Sequence, residues 1–329
     1  MQIKVLGPLE ARENGMSITP IARKPRQVLS LLALQAGSVV TVWSLIEELW
    51  GTKPPASALT TLQTYILQVR RGIAAALGAN DNDPAKDMLR TCYGGYLLDV
   101  DPDDVDIYVY ERLAASGKEA FAHADLELAS ALFCQALNIW RGEVLVDVHA
   151  GLRIGMEVAR LEESRLGVLE ARIETDLRLG RHADVLAELS MLTARYPMHE
   201  NLCGQFMLAL HRCGRRSQAL EVFIKLRKTL VSELGLEPSG RLQQLQQAIL
   251  RSDSRLDVIL PTPASIDIAV SREAMCPPTC GVTWKSITAS APTSWTPSRP
   301  SSNPASSSWA RASVPSRRNS LPTTASRTV

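Results

Sequence analysis

Thr60, Thr61, Gln63, Thr64, Gln68, Arg70 and Arg71 lie in one short stretch that carries hydroxyls, amides and guanidiniums but no carboxylate. Groups of this kind hydrogen-bond to the edges of bases, and their cations pair with phosphates. Glutamine makes a bidentate pair with adenine, and a threonine methyl packs on the thymine methyl. A plain solvated helix face carries the same residue types, so the residues alone leave both readings open. A second group, Arg23, Lys24 and Arg26, sets three cations just ahead of an apolar run. This is an arrangement suited to a phosphate at a helix N-terminus, or to a solvated basic turn. A third group, Arg90, Thr91 and Tyr93, precedes Gly94-Gly95.

Other chemistry finds little support. The histidines, His123, His149, His182, His199 and His211, have no nucleophile at suggestive spacing. No catalytic residue is expected. His199, Cys203, His211 and Cys213 match no zinc spacing, and Cys276 and Cys280 have no histidine after them. No metal and no cofactor are expected. A Gly-x-x-x-x-Gly-Lys-Ser/Thr loop is absent, so nothing here cradles a triphosphate in the P-loop manner.

The elements that position these groups follow from periodicity. Gln2–Leu6, Leu9–Arg12 and Met16–Thr19 read as short antiparallel strands, with a turn at Glu13-Asn14-Gly15. Pro25 opens a helix whose apolar run, Val28 to Leu34, stops at Gly37. Thr41 caps a second helix with Leu45, Ile46, Leu49 and Trp50 on its buried face, ending at Gly51. The third helix runs from near Ser57 to Leu77. Leu59, Leu62, Ile66, Val69 and Ile73 form its apolar stripe, which leaves the polar group above on the opposite face. Residues 79–87 read as a loop, and Met88–Cys92 with Tyr96–Val100 as a β-hairpin in which Tyr96 packs on the sheet.

From Asp104 to Leu250 the pattern is helical throughout. Gly180-Arg181 recurs as Gly214-Arg215, a step of 34 residues. Val185, Leu189 and Leu192 map by that step onto Ala219, Phe223 and Leu226. A 34-residue period of helix pairs is the tetratricopeptide signature. Ala129, Phe133 and Ala136 repeat the spacing 56 residues before Val185, so about 22 extra residues, placed within Arg141–Ala159, interrupt the period. The domains predicted are therefore 1–100, 101–255 and a 256–329 tail. Residues 276–329 hold 13 Ser, 8 Thr, 8 Pro and 6 Lys/Arg with no acidic residue, a composition that builds no core and predicts disorder. The abrupt loss of acids, with three isolated tryptophans, resembles an out-of-frame extension of a GC-rich gene.

Net charge is +2, divided as +2 over residues 1–100, −6 over 101–275 and +6 over 276–329. Charge alone therefore does not mark a nucleic-acid binder. Apolar runs fall short of a membrane span, and the N-terminus lacks an apolar signal region, so a cytoplasmic protein with no membrane contact is expected.

Several ordered blocks closely resemble one family. They are Arg23-Lys24-Pro25-Arg26-Gln27-Val28-Leu29, Leu45-Ile46-Glu47-Glu48-Leu49-Trp50-Gly51, Pro54-Pro55-Ala56-Ser57-Ala58-Leu59-Thr60-Thr61-Leu62-Gln63-Thr64-Tyr65 and Gly95-Tyr96-Leu97-Leu98. With Glu221-Val222-Phe223 through Leu234-Gly235-Leu236-Glu237-Pro238-Ser239, they resemble the Streptomyces antibiotic regulatory protein family over about residues 1–250. The resemblance implies a mainly α protein. Its N-terminal half would be an OmpR-type winged helix-turn-helix, with a short sheet, three helices and a hairpin wing. An all-α bacterial transcriptional activation domain of tetratricopeptide type would follow. It implies a transcriptional activator of a secondary-metabolite gene cluster that binds double-stranded DNA at promoter direct repeats, as a homodimer on DNA, and contacts the RNA polymerase holoenzyme. It sets Thr61, Thr64 and Gln68 nearest the bases, Arg70 and Arg71 toward the DNA backbone, and the wing residues Arg90, Thr91 and Tyr93 on backbone or minor groove. One departure is that Cys92 stands where family wings often carry a basic residue. Two other readings are a repeat-type adaptor and a ligand-sensing regulator, either with weak or no DNA binding of its own.

Overall fold

Gln2–Lys4 (β1), Glu10–Glu13 (β2) and Met16–Ser17 (β3) form an antiparallel sheet in that order, with Gln2 opposite Arg12 and Glu13 opposite Met16. The β2–β3 turn uses Asn14 and Gly15 at positive φ, the backbone that a tight hairpin requires. β1 stops earlier than its alternation suggests. The amides of Val5 and Leu6 turn away from the sheet and donate to the Asp106 carboxylate, at 2.8 and 3.0 Å. The computed structural model describes residues 1–78 and 83–256. The 276–329 tail and its expected disorder lie outside the described residues.

Three helices follow: Arg23–Leu34 (α1), Val42–Trp50 (α2) and Ala58–Ala76 (α3). Pro25 stands inside the first turn of α1 rather than at its first residue; that turn needs no amide donors, so the proline costs nothing there. Thr41 Oγ1 accepts the Ser44 amide at 3.1 Å and so caps α2 as expected. Leu62, Ile66, Val69 and Ile73 are buried on α3, but Leu59 is 50% exposed. The stripe therefore begins at Leu62, and Leu59 projects beyond the core from the first turn. Trp50 of α2 stacks on Tyr65 of α3 at 6.4 Å between ring centroids.

A second sheet has the order Val39–Thr41 (β4), Gly95–Leu98 (β6), Leu89–Cys92 (β5), all antiparallel. β4 is three residues between two helices, too short to show in the sequence pattern. Gly95 is required here, since a Cβ on it would lie 2.3 Å from the Val40 carbonyl oxygen. Tyr96 is buried against the sheet as expected. The loop expected over 79–87 is in part a helix, Asp83–Met88 (α4), which buries Ala85 and leads into β5.

The remaining helices are Asp106–Ala122 (α5), Leu126–Asn138 (α6), Leu152–Arg178 (α7), Leu186–Arg195 (α8), Glu200–Arg212 (α9), Arg216–Leu234 (α10) and Gly240–Arg251 (α11). The repeat shows in the hydrogen bonds. The Gly180 and Arg181 amides donate to the carbonyls of Leu177 and Asp176; one 34-residue step later, Gly214 and Arg215 donate to His211 and Leu210. Ala124 and Asp125 donate to Phe121 and Ala120, the same pattern 56 residues before Gly180-Arg181. Val185, Leu189, Leu192, Ala219, Phe223 and Leu226 are all buried, as are Ala129, Phe133 and Ala136. The helix pairs are thus α5/α6, α7/α8 and α9/α10. The extra residues are the irregular connection from Ile139 to Gly151 together with Leu152–Leu161, the first turns of α7.

The buried core runs on across residue 100. One apolar cluster extends from Ile3 through Val105 and Tyr110 to Ala209. Ile3 forms a parallel bridge with Val105, and Tyr110 packs edge-on against Trp140 at 5.2 Å.

Candidate nucleic-acid interface

Burial and the 3.6-residue turn sort the residues of α3. Thr60, Thr64, Leu67 and Arg71 form one exposed line, with Gln63 and Gln68 exposed on its two flanks. Thr61 is half-buried on the Gln68 side. The Thr64 hydroxyl donates to the Thr60 carbonyl at 3.0 Å, which restrains the rotamer of this exposed side chain. The helix carries no acidic residue. Its outer face can therefore approach a polyanion without repulsion and offer amide, hydroxyl and guanidinium groups to it.

The paired arginines separate. Arg71 is exposed. Arg70 turns to the hairpin, donating to the Leu89 carbonyl at 3.0 Å from Nε and 2.6 Å from Nη2, and to Thr91 Oγ1 at 2.8 Å. Burial draws its pKa below the ordinary guanidinium value. Arg70 and Thr91 thus meet each other as a strut that ties α3 to β5. On the hairpin itself, Arg90 pairs with Asp99 at 3.1 Å, Cys92 is half-buried, and Tyr93 is fully exposed at the tip.

The basic cluster before α1 also divides. Arg23 is exposed. Lys24 donates from Nζ to the Leu49 carbonyl and lies 6.0 Å from the Trp50 ring centroid; burial lowers its pKa, with Arg23 adding to the effect. Arg26 pairs with Asp147 at 3.2 Å, across to the inserted connection. Among the described residues no group of His, Cys, Asp or Glu is placed to hold a metal, and Cys203 is buried with its thiol pushed up to about 11 by desolvation.

Residues 18–98 match the family described as "Transcriptional regulatory protein, C terminal", and residues 105–250 match "Bacterial transcriptional activator domain". Regulatory protein DnrI of Streptomyces peucetius is 72% identical over 272 residues, covering 82% of this chain and all of the relative. Transcriptional regulator RedD of Streptomyces coelicolor is 35% identical, covering 78% of this chain and 73% of the relative. The solved structure of Mycobacterium tuberculosis EmbR in complex with a low affinity phosphopeptide superposes with a TM-score of 0.71 at 29% identity, covering 76% of this chain and 65% of that one. The chain belongs to the Streptomyces antibiotic regulatory protein family. It is a DNA-binding transcriptional activator with a winged helix-turn-helix followed by a tetratricopeptide-like activator domain.

The activator's sequence hides one residue that the structure brings forward. Glu48 on α2 is 3% exposed, between Leu45 and Leu49 on the helix's apolar face. Its carboxylate receives the backbone amides of Gly151, Arg153 and Ile154 at the start of α7. A carboxylate on an apolar stripe was the readable signal. Its partners lie about a hundred residues away, beyond the reach of periodicity. Among the described residues, no helix of this regulator is long and apolar enough to cross a membrane.

Proposed function

We propose that the protein acts in the cytoplasm to switch on a secondary-metabolite gene cluster by reading promoter direct repeats with α3. Thr61, Thr64 and Gln68 contact base edges in the major groove, and Thr60 and Gln63 lie along the same groove. Arg71 and the exposed Arg23 hold phosphates. Tyr93 at the hairpin tip, with Arg90, lies against the adjacent backbone or minor groove, while Arg70 and Thr91 set the angle between helix and wing. Two protomers occupy repeats one helical turn apart on one face of the duplex, and the helical domain faces RNA polymerase. The observation that carries this reading is the carboxylate-free exposed face of α3, lined by Thr60, Gln63, Thr64, Gln68 and Arg71.

The test compares promoter DNA with random duplex. Gln68→Ala should cost about 1–3 kcal/mol on the preferred site and little on random DNA, because a base-edge bond depends on sequence. Equal losses on both DNAs would remove α3 as the reader.

A further inference from the structure

The 34-residue period accounts for the helix pairs of the activator domain but not for Ile139–Leu161. Those residues fasten the winged half, in addition to the Ile3–Val105 bridge and the Asp106 carboxylate. The Arg141 amide donates to the Leu6 carbonyl at 2.8 Å, and the Leu145 amide to the Gly7 carbonyl at 2.8 Å. Asp147 accepts the Leu9 amide at 2.9 Å and pairs with Arg26. The added turns of α7 reach Glu48. Glu48 Oε1 accepts the Gly151 amide at 2.5 Å, and Oε2 accepts those of Arg153 and Ile154 at 2.8 and 3.2 Å. From α1, Gln27 Nε2 donates to the Glu48 carbonyl at 2.8 Å and to Oε1 at 3.1 Å. Glu47 pairs with Arg153 at 3.0 Å beside it. Position 151 must be glycine, since a Cβ would lie 2.4 Å from the Glu48 carbonyl oxygen.

An acceptor aligned on a helix N-terminus satisfies amides that have no partner in their own helix, and it fixes direction as well as distance. A buried carboxylate is a poor choice for stability alone, because well-packed apolar residues do as well. Here it joins α2, which is stacked on α3 through Trp50 and Tyr65, to a helix of 27 residues, about 40 Å long at 1.5 Å per residue. α7 carries the α2 orientation straight into the α7/α8 pair.

We propose that Glu48 is a positioning residue that locks the helix-turn-helix at one angle to the activator domain, so that promoter output depends on it while recognition of DNA by one protomer does not. The proposal rests on α3 being the reader.

The experiment uses the full chain as wild type, Glu48→Gln and Arg153→Ala. Glu48→Gln keeps the shape but turns an amide NH2 toward backbone donors. Three quantities are read: hydrogen exchange at Gly151, Arg153 and Ile154, affinity for a duplex with a single promoter repeat, and output of a promoter reporter. In Glu48→Gln the three amides should exchange about tenfold faster. Single-repeat affinity should stay within about twofold, and output should fall roughly fivefold or more. Arg153→Ala, which breaks only the half-exposed pair, should fall between it and wild type. It decides the matter by the same comparison if Glu48→Gln does not fold. Faster exchange with unchanged output would overturn the proposal. So would affinity and output falling by one common factor, which is the signature of a residue that only holds the fold together. Wild-type protein that binds the repeat no better than random duplex would instead refute α3 as reader, a separate result.

Discussion

Arg70 and Arg71 are neighbours in sequence with opposite expected effects on DNA binding, and a salt titration separates them. Arg71 is exposed; on the proposed reading it neutralises one phosphate and releases one counterion from the duplex. Arg71→Ala should lower the slope of log K against log salt by about 0.9 on specific and random DNA alike. Between 50 and 200 mM salt, wild type should therefore lose an extra factor of about 3.5 relative to the variant. Arg70 makes three hydrogen bonds to Leu89 and Thr91 and is half-buried. Arg70→Ala should leave the slope unchanged but cost about 1–2 kcal/mol of stability after allowance for solvent, since a charged donor is lost from a partly wet site. For a protein of this size that is roughly 2–8 °C in Tm. Fluorescence anisotropy at several salt concentrations, with thermal unfolding of the same samples, gives both numbers. If Arg70→Ala lowered the slope by one unit and Arg71→Ala left it alone, Arg70 would be the phosphate contact, and its bonds to β5 would not survive on DNA.

Two further outcomes follow from the core. Phe223, 4% exposed, and Leu189, fully buried, occupy equivalent places one repeat apart, so Phe223→Ala should cost about 3–5 kcal/mol and Leu189→Ala about 2–5 kcal/mol in chemical denaturation; a negligible loss at either site would undo the repeat alignment. Burial raises the Asp106 carboxyl above the ordinary aspartate value despite its bonds from Val5 and Leu6, so its ionisation is less favourable folded than unfolded. Its contribution to stability is therefore full below the unfolded pKa and is lost as pH rises through the folded one. Stability should rise more steeply with pH across the acid range in Asp106→Asn than in wild type, and parallel curves would contradict this.

Most of the architecture was legible because it is local. The helix stops at Gly51, Gly78, Gly180 and Gly214 all carry positive φ, and a lone repeat offset in the sequence places the insertion within Arg141–Ala159. What stayed hidden depends on partners far along the chain. β4 is too short to show a period of two and exists through its pairing with β6. Arg70 reads as one more cation on a polar face until the Leu89 carbonyl is set beside it. Of Arg23, Lys24 and Arg26, only the fold separates the exposed cation from the two with partners in Leu49 and Asp147.

The insertion also bears on engineering of regulators with new operators. A chimaera cut at residue 100 would pair a foreign winged helix with Arg141, Leu145, Asp147 and Gly151, each matched to a specific backbone group or side chain of the original. The unit to be exchanged is discontinuous: residues 1–110, which include the Val105 bridge and the Asp106 carboxylate that holds the Val5 and Leu6 amides, together with Ile139–Leu161. Grafts that carry both segments should keep the register between reader and activator, whereas grafts of the first alone should yield proteins that are insoluble or transcriptionally silent.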